Sequence, residues 1–241
     1  MSLLTLQLGQ CGNQVGGQIF STLIDDIFAK STGLNSKENQ AYMQGSLDTF
    51  FTEHETSGRD GSLSLPVARA VLVDMESKAI THTLQMAKKS GKWIYPEKRF
   101  YHQKRGSGNN WAHGFCIHGP KSHDDIMNLI RKEVEKCDRL GGFLNLMSLA
   151  GGTGSGVGAY VTQSLRDTYP HSFITNQVGI KTCSRFSNNE TVSFRAIIKE
   201  FILISLPRIT PKVSRVYFLM KHHQIKQAQC RAAVDRSCPK T

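Results

Sequence analysis

The sequence predicts an α/β fold: a doubly wound, mainly parallel sheet with helices on both faces. Strand-like and helix-like segments alternate along the chain, which favours parallel strands joined by helical crossovers. Two strand candidates, residues 67–73 and 143–147, are almost continuously apolar, as expected of strands covered on both faces. A glycine-rich turn follows the second of them. The 241 residues, 39% hydrophobic and 20% charged, exclude a disordered or collagen-like chain.

The N-terminal quarter predicts one strand, one helix and a loop. Residues 4–8 alternate apolar and polar side chains and end at Gly9, which indicates a strand that enters a turn. Apolar residues then recur at three- and four-residue spacing as far as Phe28, as in an amphipathic helix. Residues 31–66 are rich in Ser, Gly, Asn, Thr and charge, so they predict a long surface loop with at most short structured pieces.

The middle of the chain predicts a buried strand and a loop rich in glycine and asparagine. The strand at residues 67–73 ends at Asp74, and a helix over about residues 76–88 follows it. A short strand is expected near Phe100, and the loop at residues 106–110 comes next.

A strongly patterned helix is expected to start near Ser122. That serine can cap the first turn, with Asp125 three residues later completing a capping box. Glu135 and Arg139 predict an i,i+4 ion pair on the outer face. The predicted buried stripe consists of Ile126, Leu129, Ile130, Val134 and Cys137.

The last strongly patterned segment repeats the order strand, loop, helix, strand. Residues 143–147 lead into a glycine-rich loop, a helix is expected over residues 157–165, and a strand over residues 173–178. Ligands of doubly wound sheets bind outside the carboxyl ends of the strands. The candidate binding loops are therefore those after Leu8, Val73 and Met147, together with residues 106–110.

The positive charge is concentrated near the C-terminus. There are 30 Lys and Arg against 19 Asp and Glu, a formal net charge of +11. Residues 1–177 contribute only +2 of it and residues 178–241 contribute +9. All but one of the 21 glycines also precede residue 178. This break predicts a domain over residues 1–177 and a divergent basic tail over residues 178–241.

Three features concern the cellular compartment. We find no secretory signal and no apolar run of the roughly 20 residues that a membrane span needs, so we expect a cytoplasmic protein without a membrane partner. The six cysteines are scattered without a CxxC pair, as expected of reduced thiols.

The loop at residues 151–156 (GGTGSG) has the composition of a phosphate cradle. Glycines between a strand and a helix let backbone N–H groups approach an anion at the positive end of the helix, and Thr153 and Ser155 add hydroxyl donors. No Lys-Ser/Thr follows, so the P-loop motif is not met, and residues 9–16 have the wrong glycine spacing for a dinucleotide fingerprint. A flexible glycine turn is the alternative.

Asp74 and Glu76 place two carboxylates at the end of a buried strand, on the same side of an extended tripeptide. Magnesium is usually held by one or two carboxylates, phosphate oxygens and water, so this pair beside a phosphate loop predicts a Mg²⁺ site. The alternative is that Asp74 only caps the following helix.

Five further residues are expected to be structural. The spacing of His113, Cys116, His118 and His123 matches no zinc pattern, so we expect these side chains in a loop and at a helix start. Cys11 lies near a helix N-terminus without a histidine placed as base, which favours a packing role.

Four segments together resemble the nucleotide loops of tubulins. They are residues 9–14 (GQCGNQ), 73–76 (VDME), 108–112 (GNNWA) and 151–156 (GGTGSG), in the order and approximate spacing of that family. The resemblance covers about residues 1–177 and implies a GTP-binding domain of the tubulin type.

Within the family the sequence is most similar to the delta class. The similarity lies in residues 69–76 (RAVLVDME), 111–114 (WAHG), 117–120 (IHGP) and 126–138 (IMNLIRKEVEKCD), and in Ala150, which replaces a glycine of ordinary tubulins. The resemblance implies a role in centrioles and cilia rather than in the bulk microtubule wall.

The resemblance also implies site residues, cofactors and partners. Asp74 and Glu76 would lie near Mg²⁺. GTP or GDP would be the nucleotide, and other tubulins or centriolar and microtubule proteins the partners. The protein would be located in the cytoplasm and cytoskeleton, at the centriole or centrosome and the cilium. A nuclear location is also left open. The implied nucleotide-binding residues are Gln10, Cys11, Gln14, Gly108, Asn109, Ser148, Gly151, Gly152, Thr153 and Gly154.

The sequence departs from the family pattern after about Gln177. We find neither the next nucleotide loop nor the central helix, nor the acidic loop that reaches a neighbouring subunit's nucleotide. We therefore expect an incomplete domain with impaired assembly that binds GTP but supplies no hydrolysis to a partner. Our hypothesis for residues 178–241 is alternative splicing, intron read-through or an erroneous gene model.

Two other functions remain open at this point. A dinucleotide-dependent oxidoreductase could use a similar sheet, and it predicts a GxGxxG turn that the chain lacks. A nucleic-acid-binding role of the basic tail predicts binding that weakens steeply with salt, but its Arg and Lys are spread without an aromatic or helical pattern, so we expect no nucleic-acid partner.

Overall fold

The computed structural model describes residues 1–29, 36–52, 65–104 and 106–179. The strands are β1 (Ser2–Leu8), β2 (Phe51–Thr52), β3 (Val67–Ala68), β4 (Ala70–Asp74), β5 (Phe100–His102), β6 (Leu140–Ser148) and β7 (Phe173–Gly179). The helices are α1 (Gly9–Phe28), α2 (Ser36–Phe50), α3 (Ser77–Ser90), α4 (Trp111–His113), α5 (Gly119–Lys121), α6 (His123–Val134) and α7 (Gly158–Thr168). Two π-helical turns, Gly114–His118 and Thr153–Val157, join α4 to α5 and lead into α7.

Five parallel strands form the main sheet in the order β5-β4-β1-β6-β7. Strand β1 is central, pairing with β4 on one side and β6 on the other. The chain extends the sheet first through β4 and β5 and then returns to place β6 on the opposite side of β1. The strand order reverses between β1 and β6, which is where doubly wound sheets bind ligands.

Helices cover both faces of this sheet, as the sequence predicts. Alternate β1 residues such as Leu4 and Leu6 belong to the buried core that includes Ile126 of α6 and Val161 of α7. The other face meets α1, where Gly16 lies directly against the Gln7 side chain. The β1 strand is therefore buried on both faces, which explains why none of its residues is exposed.

Two predicted details of the backbone were wrong. Residues 36–50 form helix α2 rather than loop, a helix missed because it is mostly polar and buries only Thr49 and Phe50. The strand predicted at residues 67–73 is interrupted at Arg69, whose N–H donates to the Phe50 carbonyl and whose carbonyl accepts from Thr5. The chain thus passes at Arg69 from the small β2-β3 ribbon into the main sheet.

The predicted polar contacts of α6 were also wrong. The Ser122 hydroxyl does not cap the helix but donates to the His118 carbonyl at 2.6 Å. Helix α6 ends at Val134, so Glu135 has no helical partner one turn later and instead lies 3.7 Å from Arg131, one turn earlier. The buried stripe was predicted correctly at Ile126 and Ile130, both of which are buried in the core.

Candidate functional site

Four loops meet at the carboxyl edge of the main sheet, as predicted. They follow Leu8 of β1, Asp74 of β4, His102 of β5 and Ser148 of β6. Because all these strands are parallel, their carboxyl ends lie along one edge. The candidate site is built from these four loops: the β1 loop (residues 9–14, which open α1), the β4 loop (residues 74–76), the β5 loop (residues 106–114, which include α4) and the β6 loop (residues 148–156).

The β1 and β6 loops are in direct contact through glycine. Gly9 has a φ of +73°, and a Cβ atom built on it would lie 2.7 Å from the Gly154 amide nitrogen. A side chain at Gly9 would therefore be strained and would also push the two loops apart. One turn further along α1, Gly12 lies against the Leu146 carbonyl of β6. These contacts bring the N-termini of two helical segments to one place.

The β5 loop packs against the same glycine-rich loop. Gly114 lies against the Gly152 carbonyl, and a Cβ on Gly156 would meet the Phe115 amide nitrogen at 2.9 Å. The hydroxyls of Ser107 and Thr153 are 3.1 Å apart. Glycines and backbone atoms thus form most of the contact between the β5 and β6 loops.

The tip of the β5 loop is a left-handed turn. Gly108 and Asn109 both have positive φ, +63° and +54°, and both are exposed. Gly151 is also left-handed at +93°, and a Cβ on it would lie 3.8 Å from Oδ1 of Asn109. Asparagine is one of the few residues besides glycine that tolerates this conformation, which explains the Gly-Asn pair.

The remaining predicted nucleotide-binding residues lie at the same edge. Gln10 and Gln14 are exposed, and Cys11 is half-buried, all in the first two turns of α1. Ser148, at the end of β6, is half-buried, and its hydroxyl donates to the Ala150 carbonyl at 2.8 Å. All ten residues therefore lie in the strand-end loops or in the first two turns of α1, and their contact with a ligand stays a prediction.

The two carboxylates differ in environment. Asp74 is 5% exposed, whereas Glu76 is exposed. Burial raises the pKa of the Asp74 carboxyl to about 6, although hydrogen bonds from the Glu76 and Met75 amides partly offset this effect. Glu76 reaches the β5 loop, because a Cβ on Gly106 would collide with its Oε1 atom. A desolvated carboxylate is stabilised by a bound cation.

The donor set fits a magnesium ion that shares its ligands with phosphate. Among the residues that the structure describes, no group of three or more His, Cys, Asp or Glu could hold a metal. Two carboxylates alone suit Mg²⁺, which keeps water and phosphate oxygens in its shell. The four residues His113, Cys116, His118 and His123 lie along the helical segments that follow the β5 loop.

Asn13, which no sequence pattern singled out, links two of the loops. Asn13 is fully buried, and its Nδ2 donates to the Gly9 carbonyl at 2.9 Å and to the Val73 carbonyl at 3.2 Å. It therefore bridges the ends of β1 and β4. The only sequence signal is its place in the predicted loop, between Gly12 and Gln14.

Comparison with known proteins decides the family. The family model "Tubulin/FtsZ family, GTPase domain" matches residues 2–199. The chain belongs to this family. Similar curated relatives are tubulin delta chains of Macaca fascicularis (50% identical), Canis lupus familiaris (51%) and Homo sapiens (49%). Each match covers 178 residues, 74% of this chain and 38% of the relative.

The tubulin-family resemblance that the four motifs predicted is therefore confirmed, as is the similarity to delta chains. This chain spans about two fifths of the length of these relatives, since 38% of each is covered. The match to the family model includes all four loops and continues past residue 177 to residue 199. The predicted boundary at 177/178 stays a prediction, because residues 180–241 lie outside the described part of the structure. No helix within the described ranges is long and apolar enough to cross a membrane.

Proposed function

We propose that this tubulin-family chain binds GTP or GDP with Mg²⁺ at the four strand-end loops, as a delta-tubulin-like protein of the cytoskeleton. The observation that carries the proposal is the packing of Gly9 against Gly154, so close that a Cβ atom built on Gly9 would lie 2.7 Å from the Gly154 amide nitrogen. This contact brings two anion-attracting helix starts to the switch point of the sheet.

The electrostatics of the loops suit a phosphate tail. The first turns of α1 and of the turn Thr153–Val157 contain no acidic residue, so nothing in them opposes an anion. Backbone N–H groups of a glycine-rich loop before a helix form a concave anion site. Gly151, Gly152, Thr153 and Gly154 would contact the phosphates on one side, and Gly108 and Asn109 on the other.

The ends of the phosphate site suit the ion and the rest of the nucleotide. Asp74 and Glu76 would hold hydrated Mg²⁺ beside the phosphates, where the ion would neutralise both the phosphate charge and the buried carboxylate. Gln10 and Gln14 lie four residues apart on α1, so they share one face and would contact the nucleotide beside Cys11.

Equilibrium binding to the full chain tests this proposal. A fluorescent GTP analogue should bind more tightly with Mg²⁺ than with EDTA, and unlabelled GTP and GDP should displace it. NAD should not displace it, because the glycine spacing of residues 9–16 differs from the dinucleotide fingerprint. Displacement by NAD, or binding indifferent to Mg²⁺, would contradict the proposal.

The cytoskeletal part of the proposal rests on similarity to the delta chains. We propose association with other tubulins or with microtubule and centriolar proteins, controlled by the bound nucleotide, and location at the centriole and cilium. We also propose that this chain supplies no GTP hydrolysis to a partner. Co-sedimentation with microtubules in GTP and in GDP tests the association. Equal pelleting in both nucleotides would contradict nucleotide control.

A further inference from the structure

We propose that Asn13 is a positioning residue that couples the β4 loop, which carries Asp74 and Glu76, to the β1 loop, which would contact the nucleotide, so that Mg²⁺ at Asp74 strengthens nucleotide binding. This inference rests on the proposed function and adds a means of regulating that site. It concerns a residue that would contact neither the nucleotide nor the ion.

The side-chain hydrogen bonds of Asn13 lie where the β1–β4 pairing ends. The β1–β4 ladder ends at the pair Leu8–Val73. Beyond it the Asn13 side chain donates 2.9 Å to Gly9 and 3.2 Å to Val73, and so replaces the ladder where the strands diverge into loops. Val73 directly precedes Asp74, and Gly9 is the residue in contact with Gly154. One buried amide therefore fixes the separation of both loops.

A second contact ties the helices that follow these loops. The Thr83 hydroxyl of α3 donates to the Asn13 backbone carbonyl at 3.3 Å. Helix α3 begins just after Glu76, and α1 begins at Gly9, so the β4 loop and the β1 loop each continue into a helix, and the two helices are joined at Asn13. A shift of one loop would break buried hydrogen bonds that the other loop shares, which is the physical requirement for coupling.

The chain offers a matched control in Asn145. Both asparagines are fully buried, both have a side-chain Nδ2 that donates twice, and both have a buried Oδ1 without a hydrogen-bond partner. Asn145, however, bonds to Thr162 of α7 and Asn176 of β7, and not to the β4 loop. Truncation of either residue should cost similar stability, but of the two only Asn13 links the strand that carries the proposed ion site to the β1 loop.

The experiment compares Mg²⁺ enhancement of binding in the full chain. Affinity for a fluorescent GTP analogue is measured with Mg²⁺ and with EDTA, and melting temperature is measured alongside. We expect Mg²⁺ to raise wild-type affinity about 5- to 150-fold, the range of typical coupling between sites. In Asn13→Ala the enhancement should fall severalfold, with the remainder due to direct contact between the ion and the phosphates, whereas in Asn145→Ala, melting at a similar temperature, it should persist in full.

Asn13→Ser guards against a variant that fails to fold. A serine hydroxyl one turn into the helix can donate to the Gly9 carbonyl but not also to Val73. We therefore expect a smaller loss of melting temperature and the same loss of Mg²⁺ enhancement. Full enhancement in folded Asn13→Ser, or its loss in Asn145→Ala, would overturn the inference while the proposed function stands. If the wild type binds no GTP analogue, the proposed function falls and this inference falls with it.

Discussion

At the scale of the residue, the left-handed glycine Gly9 determines whether the nucleotide loops can meet. Gly9→Ala adds a Cβ at +73°, 2.7 Å from the Gly154 nitrogen, so we expect the affinity for GTP to fall at least tenfold, a loss of roughly 1.4 kcal/mol or more. The control is Gly91→Ala, which shares the backbone strain at +64° but has no atom within 4 Å of the new Cβ. It should lower stability by about 1 kcal/mol and leave affinity unchanged. Equal affinities of the two variants, measured by titration, would refute this role of the contact.

A second residue-scale prediction concerns the buried carboxyl of Asp74. Its pKa of about 6, against an ordinary value of 3.8, means that the folded state binds the proton more tightly than the unfolded state. Stability due to this group is therefore lost as pH rises from about 4 to 6 and then stays constant. In nucleotide-free protein at pH 7.5, Asp74→Asn should raise the free energy of unfolding by up to about 3 kcal/mol, yet abolish the effect of Mg²⁺ on binding.

Denaturant unfolding at pH 4, 5, 6 and 7.5 measures this effect as the difference between variant and wild type. The difference should grow between pH 4 and 6. Glu76→Gln alters an exposed carboxyl and should change stability by less than about 0.5 kcal/mol. If Asp74→Asn is less stable than wild type at pH 7.5, the carboxylate stabilises the fold. That result would contradict the prediction that the buried charge lowers the free energy of unfolding.

At the scale of the element, a buried ion pair anchors the strand that leads into the β5 loop. Arg99 directly precedes β5, and its Nε lies 2.5 Å from Oε1 of Glu133 on α6, which Lys136 approaches to 3.0 Å. Glu133 is only 3% exposed. Glu133→Gln should cost about 2–3 kcal/mol of stability, because it leaves a largely buried arginine without its counter-charge.

The matched control lies on the same helix. Glu135→Gln removes an exposed pair with Arg131, at 3.7 Å, and should cost less than about 0.5 kcal/mol. Thermal or denaturant unfolding of the two variants distinguishes them. Similar losses in both would mean that burial does not strengthen the Glu133 interaction.

Elements were predictable from sequence where periodicity and burial agree. The strands with continuous apolar runs, and α1 and α6 with their apolar faces, were located to within a few residues. Helix α2 was not, because a helix that buries only its last turn has almost no apolar period. The Ser122 cap also failed, since the preceding turn already ends in helical geometry and offers the hydroxyl a carbonyl at 2.6 Å.

Parts of the site were predictable where they depend on strand order and on glycines, and not where they depend on strand pairing. Loops at strand ends can be placed from the strand order alone, and glycines mark where backbones approach each other. The role of Asn13 could not be inferred, because its two acceptors, Gly9 and Val73, are brought together only by β1–β4 pairing. The burial of Asp74 likewise depends on neighbouring strands, so its raised pKa could not be inferred from the residues beside it in the sequence.

At the scale of the whole molecule, the main parallel sheet brings the ends of four strands, and the loops after them, to one edge. We propose that these four loops, which are distant in sequence, act as a single nucleotide site because one parallel sheet aligns them. The wide sequence separation of the loops means that this site exists only when the sheet is folded. Ligand binding should therefore stabilise the whole sheet by mass action as well as cover the loops themselves.

Hydrogen–deuterium exchange of the full chain, with and without GTP and Mg²⁺, tests this claim most directly. We predict slower exchange on nucleotide addition in all four segments, residues 9–14, 74–76, 106–114 and 148–156, beyond any general slowing in the strands. Local protection confined to one loop, or found only elsewhere in the chain, would contradict the claim that the four loops form one site.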